Sequence, residues 1–114
     1  MLDEAVLAEL SASVGGDRAF VLELVHAYLA DGPAQVEAIE AAVAAEDAAA
    51  LVRPAHTLKS SSATVGAQRL AAASRELEMA GRSGSVGLVS AAQLRAEWEA
   101  AVAALDAWVA GGER

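Results

Sequence analysis

Residues 51–66 read LVRPAHTLKSSSATVG. On a helix each residue turns the side chain by roughly 100°. Leu51, Ala55, Leu58, Ser62 and Val65 then share one face, at spacings of four, three, four and three. That is the core stripe of an amphipathic helix. His56 lies roughly 160° from Leu58 and points away from that core. Lys59, Ser60 and Ala63 stand three, four and seven residues after His56 and share its face. The outward face therefore presents an imidazole, a cation and two short side chains.

The set has chemical logic. An exposed imidazole keeps its neutral, nucleophilic form well populated at neutral pH. Lys59 is one turn along, close enough to attract an anion held at the ring. Ser60 and Ala63 are short, so a partner's active-site loop can approach without collision. Phosphoryl transfer suits this layout, because positioning and charge compensation do most of its work. A solvated side chain is nevertheless the commoner fate of a lone surface histidine. A lysine at i+3 and small residues are also ordinary in an alanine-rich chain. The wheel raises the candidate without naming a reaction.

The rest of the chain agrees with an all-α fold. Its 114 residues suffice for one domain with a modest core, and 1–114 is read as a single domain. Hydrophobic residues make up 55 % but aromatics only 4 %, so alanine, leucine and valine carry the apolar mass. Alanine is the best helix former and straight-chain residues follow it. Apolar runs such as AAVAA fall far short of the roughly 20 residues that span a bilayer, and MLDEAVLAEL lacks the positive start of a signal peptide. A cytoplasmic protein with no membrane partner is expected. The absence of cysteine excludes disulfides and thiolate metal sites. The net charge of −8, with eight Lys and Arg spread along the chain, argues against a nucleic-acid partner.

Helical periodicity sets the elements. A short segment is expected at about 3–12, carrying Val6, Leu7 and Leu10, and SVGGD breaks it, with Asp17 as the next N-cap. Phe20, Val21, Leu24, Val25, Tyr28 and Leu29 form the following stripe. ADGP at 30–33 is expected to end or bend that helix, with Pro33 in the first turn of a new segment carrying Val36, Ile39 and Val43. Asp47 should cap a helix over about 48–65, stopped by Gly66. Pro54 should kink or break that helix near Ala50 to Arg53, or restart it. A helix over about 67–80 places Leu70, Ala73, Leu77 and Ala80 inward. GRSGSVG at 81–87 reads as a loop, and Ser90 or the residues just before it open a last helix with Leu94, Trp98, Val102, Leu105 and Val109. GGER should fray. Short connections between such pieces predict an antiparallel four-helix bundle with a short extra N-terminal helix.

Other candidates are weaker. His26 lacks the lysine and small neighbours of His56 and reads as a surface or boundary residue. His26 and His56 offer no metal-ligand spacing, and no metal or cofactor is expected. Trp98 and Trp108 read as packing. Ser60, Ser61 and Ser62 have no nucleophile-elbow context. The glycines of GRSGSVG follow a helix and lack the lysine of a nucleotide-binding loop, so no ATP site is expected.

The string AHTLKSSSATVGAQRL, followed by ELEMAGRSG, resembles the histidine-containing phosphotransfer (HPt) domain family. Ala55, His56, Leu58, Lys59, Ser61, Ser62, Val65, Gly66 and Ala67 match its pattern, as do Leu77, Glu78, Arg82 and Gly84. FVLELVHAYLADGPAQVEAIEAAVAAEDAAAL is also similar to the family, so the likeness covers nearly the whole chain. Ser60 stands where the family most often has glycine. The resemblance implies a four-helix bundle that carries a phosphoryl group on His56, with Lys59 helping to hold it and with Ser60 and Ala63 at the docking surface. It implies receiver domains of response regulators, and a hybrid histidine kinase, as partners, and a monomer that passes phosphate without being an enzyme. Two other readings are a kinase-borne domain of the chemotaxis type and a helical adaptor that is not phosphorylated.

Overall fold

The structure, a computed structural model, describes residues 18–86 and 89–112. The segment expected at 3–12 and the Asp17 cap lie outside those residues. The elements are α1 (Arg18–Ala44), α2 (Ala48–Thr64), α3 (Gln68–Arg82) and α4 (Ala91–Gly112). Each helix packs on its neighbour in sequence, and α4 closes back on α1. The bundle measures 45 × 22 × 19 Å. Its core runs down the axis through Val25, Ile39, Leu51, Leu58, Leu70, Leu77, Leu94 and Leu105, all buried.

The turns are built by local chemistry. At the end of α1, Asp47 N–H donates to Ala42 O at 2.9 Å and Glu46 N–H to Val43 O at 3.1 Å, the paired bonds of a Schellman stop. Asp47 then starts α2, its carboxylate accepting from Ala50 N–H at 3.1 Å. Gly66 (φ 81°) and Gly84 (φ 88°) take the left-handed position after α2 and α3, where glycine avoids a Cβ clash. Ser90 caps α4 by accepting from Gln93 N–H at 3.0 Å.

At two prolines the helices continue where an end or break was one of the expected outcomes. α1 passes through ADGP without ending, and its Pro33 lies inside the helix. Gly32 is buried there, and a Cβ at this position would overlap the Trp98 indole. The glycine is a notch for a tryptophan, and burial of Tyr28 and Val36 on either side holds the helix together. α2 likewise runs unbroken from Ala48 to Thr64 with Pro54 inside. Pro54 cannot donate to Ala50 O, and Ala50 is an exposed residue. The Pro54 ring is buried with Leu51, Ala55 and Leu58, so the core recovers part of the cost.

Residues 81 and 82, expected in a loop, belong to α3, and residues 111 and 112, expected to fray, belong to α4. Gly81 is a second notch. A Cβ on it would come 2.9 Å from both Ala48 O and Val52 Cγ2 of α2. Its absence lets α3 lie close against the helix that bears His56.

Candidate functional site

The stripe read from residues 51–66 is the one that the fold buries. Leu51, Ala55, Leu58 and Ser62 have no exposed surface and Val65 almost none. His56, Ser60 and Ala63 are exposed on the opposite face. The His56 side chain keeps 53 % of its surface accessible. On one flank of His56, beginning at Thr57, a groove of about 460 Å³ separates α2 from α1.

The other flank holds the residue that organises the site. Glu78 lies on α3 with only 6 % of its side chain exposed. Its Oε2 is 2.9 Å from His56 Nδ1. Arg82, one turn further along α3, donates to the same oxygen from Nε at 3.0 Å and from Nη2 at 2.7 Å. Lys59 Nζ of α2 meets Oε1 at 2.7 Å. That contact is an ion pair outside hydrogen-bond angles, so Oε1 accepts no directed bond. Lys59 therefore faces inward to Glu78 as well as outward, with 30 % of its side chain exposed.

A carboxylate this enclosed is costly unless it is paired. Here the Lys59 ammonium, then the Arg82 guanidinium, and last the His56 hydrogen bond, outweigh desolvation and pull the Glu78 carboxyl from an ordinary 4.5 down to about 2. Glu78 is thus ionised at neutral pH. An ionised carboxylate only accepts hydrogen bonds, so the bond fixes the proton on His56 Nδ1. In the neutral ring the lone pair is then on Nε2, which has no hydrogen-bond partner among the described residues. Two cations face one carboxylate, which leaves one positive charge in excess beside the ring.

Glu78 and Arg82 belong to the motif read in the sequence, yet sequence reasoning assigned them no role in the site. The signal was present. Ala71, Ser74, Glu78 and Gly81 form a buried stripe of small residues on α3, interrupted by a carboxylate. Glutamate is seldom buried without partners, so its place in that stripe points to cations or an imidazole across the interface.

His26 is exposed on α1. Trp98 is buried against Tyr28, with ring centroids 5.4 Å apart, and Trp108 is half-buried on the core. Ser62 is fully buried and shares a 2.7 Å hydrogen bond with the Tyr28 hydroxyl. Among the described residues, no three His, Asp or Glu side chains converge as a metal site, and no helix is long and apolar enough to cross a membrane.

The chain as a whole has matches among known proteins. A family model described as the Hpt domain matches residues 23–108. Among solved structures, the crystal structure of histidine-containing phosphotransfer protein B (HptB) from Pseudomonas aeruginosa PAO1 is similar, with a TM-score of 0.80 and 28 % sequence identity. The match covers 92 % of this chain and 90 % of that one. No curated protein sequence matches the chain.

Proposed function

We propose the following phosphocarrier mechanism on the premise that this chain belongs to the Hpt domain family, whose role is histidine phosphotransfer in phosphorelays. His56 is the phosphoacceptor, and Nε2 is its attacking atom. The donor is an aspartyl phosphate on a receiver domain. As the new N–P bond forms, the acyl P–O bond breaks and the aspartate carboxylate leaves. The same steps in reverse pass the group to a second receiver. The chain supplies no ATP site and acts as a carrier between proteins.

The observation that carries this reading is the bond between His56 Nδ1 and Glu78 Oε2 at 2.9 Å, made by a ring that is half exposed. The bond sets the tautomer and presents Nε2 outward. As the ring gains positive charge in the transition state, the fixed carboxylate stabilises it, the role that a third group plays behind many activated nucleophiles. Glu78 touches no substrate, so it is a positioning residue. Lys59 and Arg82 keep Glu78 ionised and offset the charge of the incoming phosphoryl group. Ser60 and Ala63 leave room beside the ring for the partner.

A receiver domain carrying radiolabelled phosphate should label the wild-type chain and leave His56→Gln unlabelled. The labelled chain should give an acid-labile phosphohistidine signal in phosphorus NMR. Equal labelling of His56→Gln would mean that another residue accepts the group.

A further inference from the structure

Five of the eight basic residues, Arg53, Lys59, Arg69, Arg75 and Arg82, fall on the consecutive helices α2 and α3. α2 and α3 together carry five Lys or Arg and two Asp or Glu, whereas α1 and α4 carry two basic and seven acidic residues. A chain of net charge −8 thus has one positive layer. On α3, Arg75, Met79 and Arg82 stand at spacings of four and three and share one exposed stripe beside Glu78. Met79 keeps 56 % of its surface accessible and is one of two exposed large hydrophobic residues among those described. Arg75 forms no ion pair among the described residues. Arg69, on the far side of α3, pairs instead with Glu97 of α4 at 3.3 Å.

We propose that the Arg75–Met79–Arg82 stripe of α3 recognises the phosphotransfer partner. Its occupant is a protein surface with an acidic rim around an apolar recess, the rim facing Arg75 and Arg82 and the recess taking Met79. This inference rests on the reading that His56 exchanges phosphate with another protein. Charge complementarity argues for it. An exposed thioether between two guanidinium groups combines the adaptable apolar contact and the arginine common in interface centres. A long polyanion such as nucleic acid would meet the repulsion of the whole chain. A compact acidic patch feels the local field, because physiological salt screens charges beyond about 8 Å. A partner that holds an aspartyl phosphate presents that anionic group at the point of transfer, which is complementary to this layer.

Two phosphoryl donors separate the inference from the reading beneath it. Phosphoramidate is small: its P–N bond breaks, the His56 Nε2–P bond forms, ammonia leaves, and no docking surface is needed. The second donor is the phosphorylated receiver domain that labels the wild type fastest within a purified panel. In Arg75→Glu and Met79→Glu, the ratio of receiver-driven to phosphoramidate-driven labelling should fall about tenfold, within the range of electrostatic effects on association. In Arg69→Glu, which makes the same charge change off the stripe, the ratio should hold. Wild-type transfer from the receiver should also slow as salt rises. Equal ratios in all three variants, or an equal fall in Arg69→Glu, would overturn the α3 surface while His56 remained the acceptor. Failure of both donors to label wild-type His56 would overturn the phosphocarrier reading, and the surface with it.

Discussion

Glu78 Oε2 reaches across the α2–α3 interface to within 2.9 Å of His56 Nδ1, and the same carboxylate is held by one cation from each helix. A hydrogen bond to a charged group is worth roughly 1.5–3 kcal/mol, which corresponds to about 10- to 100-fold in rate if it is lost in the transition state. Glu78→Gln should therefore slow labelling of His56 by phosphoramidate by about that factor. Nitrogen NMR of the ring gives the independent readout. The wild type should show one tautomer with the proton on Nδ1, and Glu78→Ala should show a mixture. A slowed Glu78→Ala that kept the single tautomer would refute the positioning role.

The charge cluster predicts a pH signature. The Glu78 carboxyl lies below its ordinary 4.5, at about 2 in the folded chain. A group whose folded pKa is depressed contributes stability above its unfolded pKa and loses it as pH falls through the folded one. The Glu78 contribution should be complete above about 4.5 and fade toward about 2. Denaturant midpoints measured across that window should fall less steeply in Glu78→Gln than in the wild type. Parallel slopes in the two proteins would contradict the pairing.

The buried Tyr28–Ser62 bond, 2.7 Å long, ties α1 to the helix that carries the candidate histidine. Tyr28→Phe leaves the fully buried Ser62 hydroxyl without a partner, at a cost of about 1–3 kcal/mol. Adding Ser62→Ala should recover part of that loss in a double-mutant cycle. The chain has a single tyrosine, so absorbance reports it alone. Burial pushes the phenol from 10.0 up to about 12, and phenolate should form only at that higher pH unless the chain unfolds first.

Gly32 sits where an alanine would ordinarily favour a helix interior. A Cβ at that position would overlap the Trp98 ring. Overpacking of this kind costs typically about 1–3 kcal/mol, more than the propensity gained. Gly32→Ala should lower the melting temperature and alter tryptophan fluorescence, whereas Ala34→Gly, at an exposed site on the same helix, should cost only its propensity of about 1 kcal/mol. A Gly32→Ala protein more stable than the wild type would mean that the notch is not needed.

Local rules made much of this fold legible. Asp47 and Ser90 cap helices as their short polar side chains allow, and Gly66 closes α2 because its left-handed backbone suits glycine. The stripe from Leu51 to Val65 needed only the helical period. The breaker rules misled at Pro33, Pro54 and Gly81. Each was read as local punctuation, yet each lies in a helix that long-range packing keeps intact. Gly32 and Gly81 have meaning only once Trp98 and Val52 are placed against them.

The sequence by itself determined the all-α class, the outward face of His56, Ser60 and Ala63, and the family likeness, because helical period and motif spacing are properties of neighbours along the chain. Only the tertiary structure decided what stands behind the histidine. Glu78 lies 22 positions from His56, and nothing in either helix alone says that their side chains meet. The encounter depends on the close approach that Gly81 permits and on Lys59 and Arg82 holding a buried carboxylate ionised. The positive balance of residues 48–82 could be counted along the chain, but only the packing of α2 on α3 gathers it into one layer beside the histidine.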